Sequence, residues 1–166
     1  MRLHANAVME MEEKFSDILV ESEDINVLGE VLPVAIYQVA PSYVRRLADQ
    51  INASFEHKIY DGCAVLMRRL LEVLLIKTYI QTGQEASIQN SDQTYKMLDS
   101  IVRDARVNSA IGLSRNTRER LEDFRQLGNF AAHKVEFSTR RGDLSRIQLD
   151  YRAAVEELLH KSGLIP

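Results

Sequence analysis

Residues 60–83 read "YDGCAVLMRRLLEVLLIKTYIQTG", and this stretch decides the fold. Apolar side chains occupy almost every direction around a helical axis between Cys63 and Ile80. The charged residues in that interval are Arg68, Arg69, Glu72 and Lys77. A helix that is apolar nearly all round lies inside a bundle, and Gly83 suits the left-handed residue that ends it. The sequence therefore predicts a long, central, buried helix over residues 60–82.

The N-terminal part of the chain has a different pattern. Residues 7–22 have apolar residues at helical spacing, whereas residues 24–41 are β-branched, apolar and interrupted by Gly29 and Pro33. The second segment cannot be a regular helix throughout, and we interpret it as an extended arm or short strands across a helical body. We expect residues 1–40 to form an N-terminal helix and arm, and residues 41–166 a helical bundle, within one compact domain.

Helical patterns fill the remainder of the chain. One runs from Pro41 to about Lys58, and another follows an N-cap at Ser91 or Asp92. A third starts near Asn116 or Thr117, and a final amphipathic helix covers most of the C-terminal segment. We therefore predict an all-α bundle of five or six helices, with an irregular extended arm near the N-terminus.

Composition sets limits on function. The 166 residues carry a net charge of −3, and no run of apolar residues is long enough for a transmembrane helix. We expect a cytoplasmic protein with no membrane partner, whose single cysteine, Cys63, is buried rather than reactive. Residues 1–31 have eight acidic and two basic residues, whereas residues 103–146 have ten basic and six acidic ones. The second region is either a local basic face or an ordinary surface rich in arginine.

The sequence lacks the motifs of several common kinds of catalytic and ligand-binding site. The four histidines, His4, His57, His133 and His160, form neither an HxxxH nor an HExxH pair, so a metal site is not expected. No GxxxxGK[ST], GxGxxG or GxSxG motif is present. We therefore expect no cofactor, no nucleotide-binding glycine loop and no serine-hydrolase elbow.

Two polar features remain as candidate sites. Arg68 and Glu72 are four residues apart on the most apolar helix, which suits either a buried ion pair or an arginine directed at a bound phosphate. Arg125, Asn129 and His133 lie at four-residue intervals in "RQLGNFAAH" and would share one helical stripe. They could perform metal-independent RNA cleavage, or form a polar seam at a close helix contact. We expect this stripe to face the Arg68–Glu72 pair.

The two features together resemble the HEPN superfamily of helical domains. The resemblance covers residues 41–161 and rests on "YDGCAVLMRRLLEVLL" followed by "LEDFRQLGNFAAHK". It is strongest to a branch of unknown function that is often attached to restriction-enzyme subunits. That branch combines an arginine-and-glutamate helix with a Gly-Asn-x-x-x-His element. The matching residues here are Arg68, Glu72, Gly128, Asn129 and His133.

The resemblance implies a bundle of four or five helices that often dimerises through its motif helices. Many HEPN proteins are metal-independent ribonucleases of toxin–antitoxin, abortive-infection or CRISPR systems, with an arginine four to six residues before a histidine. Here the residue five before His133 is Gly128, and Arg125 lies eight before it. The ribonuclease arginine is therefore missing at its usual spacing.

We accordingly expect a non-catalytic interaction domain that binds nucleic acid or a nucleotide in a prokaryotic defence or stress system. One alternative is a metal-independent endoribonuclease that uses His133 with Arg125 or Arg68. Another is a purely structural dimerisation module. We also expect a homodimer, whose interface includes residues 24–40 or the helix of Asn129 and His133, and a partner protein from a defence system.

Overall fold

A computed structural model describes residues 30–166 of the chain. The helix predicted over residues 7–22 and the first part of the predicted arm lie outside the described residues. No helix within residues 30–166 is both long enough and apolar enough to span a membrane.

The described part of the chain is all-α, as predicted. Six helices follow one another, with two short 3-10 turns and no strand among these residues. The helices are α1 (Val34–Tyr37), α2 (Ser42–Glu56), α3 (Tyr60–Gln81), α4 (Leu98–Ala105), α5 (Arg115–His133) and α6 (Arg141–Lys161).

Helix α3 is the central element of the bundle, as the apolar stretch predicted. It packs against α2, α5 and α6, and it holds more buried residues than any other described helix. Tyr151 of α6 donates a hydrogen bond of 2.9 Å to the Met67 carbonyl of α3. Its ring packs edge-on against Phe124 of α5, with 5.3 Å between ring centroids. One tyrosine thus connects three helices inside one hydrophobic core. Cys63 is fully buried in the same core, as expected.

Helix α4 starts later than the sequence predicted. Asp92 does not cap a helix; its carboxylate accepts hydrogen bonds from the backbone N–H and the hydroxyl of Thr94. Such a local bond competes with helix formation, and Gln93 adopts a left-handed backbone with φ of 66°. Tyr95 then forms an isolated bridge with Gln89. The predicted N-cap at Ser91 or Asp92 is therefore wrong, and α4 begins at Leu98.

Helix α5 begins slightly earlier than predicted. Ser114, rather than Asn116 or Thr117, is the N-cap, and its hydroxyl oxygen accepts the N–H of Thr117 at 3.2 Å. Glu157 of α6 accepts hydrogen bonds from the Ser114 N–H, the Ser114 hydroxyl and the Thr117 hydroxyl. One carboxylate therefore fixes the start of α5 to α6.

Residues 30–40 form the described end of the predicted arm and pack on their own bundle. Asn52 of α2 is fully buried, and its side-chain oxygen accepts the backbone N–H groups of Val31 and Leu32, each at 2.9 Å. Its amide nitrogen donates to the Leu32 carbonyl at 2.8 Å. Both Val31 and Leu32 are buried. These two side chains are therefore covered within one chain rather than offered to a partner.

Candidate functional site

A polar cavity lies between α3, α4 and α5. Its volume is about 420 Å³, which falls in the usual range for ligand sites. It is lined by Arg68, Met97, Leu98, Asp99, Arg103, Arg106, Glu122, Arg125 and Asn129. Four arginines against two carboxylates give the lining a formal charge of +2.

The close crossing of α3 and α5 builds one wall of this cavity. Gly128 of α5 is buried, and a Cβ atom added there would lie 2.5 Å from the Cβ of Arg68 and 2.7 Å from the Ala64 carbonyl oxygen. Real side chains do not approach so closely, so only glycine fits at this crossing. The crossing brings the stem of Arg68 against α5, next to Arg125 and Asn129.

Of the two alternatives for Arg68 and Glu72, the buried ion pair does not form. Glu72 instead pairs with the exposed Arg69, at 3.1 Å between Nη1 and Oε2. The Nε atom of Arg68 is buried and has no hydrogen-bond partner among the described residues. The physical reason is that the stem of Arg68 lies against α5 at Gly128 and lines the cavity, whereas Arg69, which Glu72 contacts, is exposed to water. Helical spacing alone allowed either arginine as the partner of Glu72.

Arg125 lines the cavity but is already paired. Its Nε and Nη2 atoms donate to the two carboxylate oxygens of Glu122, at 2.9 and 2.6 Å. This bidentate bond lowers the pKa of Glu122 and raises that of Arg125. The pair therefore stays ionised over the whole neutral range, with the arginine held in a fixed orientation.

The predicted polar stripe is only partly gathered at the cavity. Asn129 and Arg125 line the cavity beside Arg68, but neither His133 nor Glu72 is among the lining residues. His133 is exposed and is the last residue of α5. It lies about 12 Å along the helix axis from Arg125, at 1.5 Å per residue. The expected five-residue cluster is thus a three-residue one.

Sequence reasoning missed the contribution of α4. Arg103 and Asp99 lie on this helix and Arg106 directly follows it, and all three line the cavity. Arg103 forms a long, exposed ion pair with Asp99, at 3.5 Å. Arg106 forms no ion pair with any residue of the described part, and its charge contributes to the lowered pKa of Glu122. The excess of basic residues over 103–146 was the available signal, but it could not name the arginines that meet.

A hydrogen bond from a buried tyrosine holds α4 in place. The Tyr79 hydroxyl of α3 donates to the Asp104 carboxylate of α4 at 2.5 Å. Burial of the hydroxyl, together with this carboxylate, raises the pKa of Tyr79. The Asp104 carboxylate also accepts from the Asn108 amide at 3.0 Å. The helix that supplies the additional cations is therefore anchored to the core helix.

The cavity has the composition of an anion site rather than a metal site. Within residues 30–166 no group of three or more histidine, cysteine, aspartate or glutamate side chains is placed to hold a metal ion. Comparison of the chain with protein-family models, curated proteins and solved structures gives no match.

Proposed function

We propose that this domain is a non-catalytic binding module that takes the phosphate group of a nucleotide or nucleic acid in the arginine-lined cavity. The observation that carries the proposal is Arg68, whose buried Nε has no hydrogen-bond partner in the described part of the chain. A buried donor without a partner costs about 1–3 kcal/mol, and a charged one costs more. A bound anion would supply the missing acceptor.

The chemistry of the lining favours phosphate as that anion. Guanidinium groups donate two parallel hydrogen bonds to phosphate oxygens, and Arg68 and Arg106 have no carboxylate bound to them within residues 30–166. Asn129 adds an amide that both donates and accepts. Such a group suits the hydroxyls or base edge of a nucleotide, whose phosphate would bind the arginines.

The ribonuclease alternative has less support. A general base must reach the proton that it removes, within about 3 Å or through one water. His133 is not among the residues that line the cavity, and the guanidinium of Arg125 is engaged by Glu122. Cleavage by His133 with Arg125 or Arg68 would need a second site or a large rearrangement.

We also propose a homodimer and a cellular setting for the domain, and both rest on the HEPN resemblance. Of the two predicted interfaces, we favour the end of α5, because the resemblance implies a dimer that forms through the motif helices. Phe130 and the nearby Val135 are exposed there, at 38% and 99%. In the arm, Val31 and Leu32 are buried in their own chain, whereas Val34 and Val39 are exposed, at 45% and 65%. We assign the homodimer contact to this end of α5, and the setting to a prokaryotic defence or stress system with a partner protein.

A binding titration tests the proposed function. The probe is a fluorescent AMP analogue, with inorganic phosphate as competitor, and anisotropy is the readout. Wild type should bind the probe, and phosphate should displace it. Arg106→Gln removes an exposed cavity cation without touching the core and should weaken binding. Arg69→Gln is the matched control, because Arg69 lies outside the cavity and pairs with Glu72. Absence of binding by wild type would favour the purely structural dimerisation module.

A cleavage assay tests the alternative. Fluorescent RNA is incubated with wild type and with His133→Ala in the presence of EDTA. We expect no cleavage by either protein. Robust cleavage by wild type that His133→Ala abolishes would make the domain a metal-independent endoribonuclease and contradict the proposal.

A further inference from the structure

A second cavity adjoins the first along α5. Its volume is about 520 Å³, and its lining consists of Arg103, Arg106, Val107, Arg115, Arg118 and Glu119. Arg103 and Arg106 line both cavities. The two cavities are therefore neighbours that share a pair of cations, rather than separate depressions on opposite faces.

Like the first cavity, the second one is lined by an arginine whose Nε atom is buried without a hydrogen-bond partner in the described part of the chain. The Nε atom of Arg118 is buried and has no hydrogen-bond partner among residues 30–166. The carboxylate of this cavity, Glu119, is bound instead by the exposed Arg115, at 2.7 Å. That contact lowers the pKa of Glu119, so the carboxylate remains charged and paired. Arg118 therefore has a buried Nε without an acceptor and no carboxylate partner within residues 30–166.

The spacing of the two cavities follows from α5. Arg118 and Arg125 are seven residues apart, which is two helical turns, so they project from one face about 10 Å apart. Arg125 lines the first cavity and Arg118 the second. A single phosphate group spans only a few bonds and cannot occupy both cavities. Two phosphates of one ligand can occupy the two cavities, and Arg103 and Arg106 line both of them.

From this arrangement we infer that Arg118 is the centre of a second phosphate subsite, and that one ligand with successive phosphates occupies both cavities. An oligonucleotide strand is the ligand class that carries phosphates at regular intervals along a flexible backbone. Grooves of positive charge that follow such a backbone are typical of single-strand binding. This inference rests on the proposed function, because the first phosphate occupies the cavity of Arg68.

The experiment compares two probes on the full chain. One is a short fluorescein-labelled oligouridylate and the other is the fluorescent AMP analogue. Wild type should bind the oligonucleotide more tightly than the mononucleotide. Arg118→Gln should weaken oligonucleotide binding about fivefold at 0.1 M salt, since one phosphate contact on a single strand contributes about −0.7 to the slope of log K against log salt. The slope of log K against log salt should become shallower by about 0.7.

Arg120→Gln is the matched control for Arg118→Gln. Arg120 lies on the same helix but lines neither cavity, and it pairs with Asp123 and Asp150 at 3.2 and 3.1 Å. Its replacement should leave affinity and salt slope unchanged. Circular dichroism confirms that both variants are folded.

The outcomes separate this inference from the proposed function. Equal affinity of wild type for the two probes overturns the second subsite while the phosphate cavity stands. An Arg118→Gln variant that behaves like Arg120→Gln overturns it as well. Failure of wild type to bind either probe overturns both.

Discussion

Replacing Gly128 with alanine adds one methyl group at the crossing of α3 and α5. That methyl carbon would lie 2.5 Å from the Cβ of Arg68 and 2.7 Å from the carbonyl oxygen of Ala64. Carbon atoms in contact prefer about 3.5–4.0 Å, so the two helices must separate by about 1 Å. Neither atom can rotate away, because the Ala64 oxygen belongs to the backbone and the Arg68 Cβ is bonded directly to the backbone of its own residue. The whole crossing has to shift.

The magnitude follows from two opposing contributions. Alanine is favoured over glycine inside a helix by about 1 kcal/mol. Overpacking of a tight contact costs about 1–3 kcal/mol, and a rigid clash of this size lies at the upper end. We therefore expect Gly128→Ala to lower the free energy of unfolding by about 2 kcal/mol. For a chain of this length, that corresponds to a fall in Tm of about 4–8 °C.

Gly142 provides the matched control. It lies in the first turn of α6, and a Cβ atom added there would meet nothing within 4 Å. Gly142→Ala should therefore stabilise the protein by about 0.4–1 kcal/mol, through the reduced entropy of the unfolded chain. The assay is urea denaturation of both variants, followed by circular dichroism. A Gly128→Ala variant as stable as wild type would refute the close crossing and the placement of Arg68 that depends on it.

Three further predictions concern stability and reactivity. Asn52→Ala should lower the free energy of unfolding by about 3 kcal/mol or more in urea melts, because it leaves two buried N–H donors and one carbonyl unsatisfied; Gln50→Ala, at an exposed position, should have little effect. Cys63 is buried and burial raises its thiol pKa to about 12, so a colourimetric thiol reagent at pH 8 should modify it only in denaturant, and rapid reaction of the native protein would contradict its burial. Glu157→Ala should cost about 1.5–3 kcal/mol because it removes three hydrogen bonds to the start of α5, whereas the exposed Glu156→Ala should melt like wild type.

The sequence predicted the fold well because the central helix has an unambiguous pattern. Apolar residues on nearly every side of residues 60–82 left no other position for this segment than the middle of a bundle, and α3 covers Tyr60–Gln81. Helix starts were predicted less well. Asp92 was a suitable N-cap by residue type, but its carboxylate binds Thr94 in a local turn instead. The same side chain fits both uses, and the choice depends on the tertiary position of the following segment.

The candidate site was harder to predict than the fold. Arg68 and Asn129 were identified, because an arginine on an apolar helix and an amide on a helical stripe are conspicuous in a sequence. The partner of Glu72 could not be identified from the sequence, because both Arg68 and Arg69 lie within about one helical turn of it. Arg106 and Arg118 reach the cavities from different parts of the chain. Only the packing of α4 against α5 shows that they are neighbours.

The glycine at position 128 changes the meaning of the HEPN resemblance. The ribonucleases of the superfamily that the sequence resembles have an arginine four to six residues before the histidine, whereas this chain has Gly128 five residues before His133. A Cβ atom at position 128 would fall 2.5 Å from the Cβ and 3.1 Å from the Cδ of Arg68. The space that a side chain from α5 would need is thus filled by the stem of an arginine from α3. A cation is still supplied to this region, but from the opposite helix and into a cavity that His133 does not line. Substituting arginine at Gly128 would therefore place two arginine stems in one space, and it would separate α3 from α5 before it could create a catalytic pair. This arrangement concentrates cations in a cavity that His133 does not line, and it therefore supports the proposed binding role over the ribonuclease alternative.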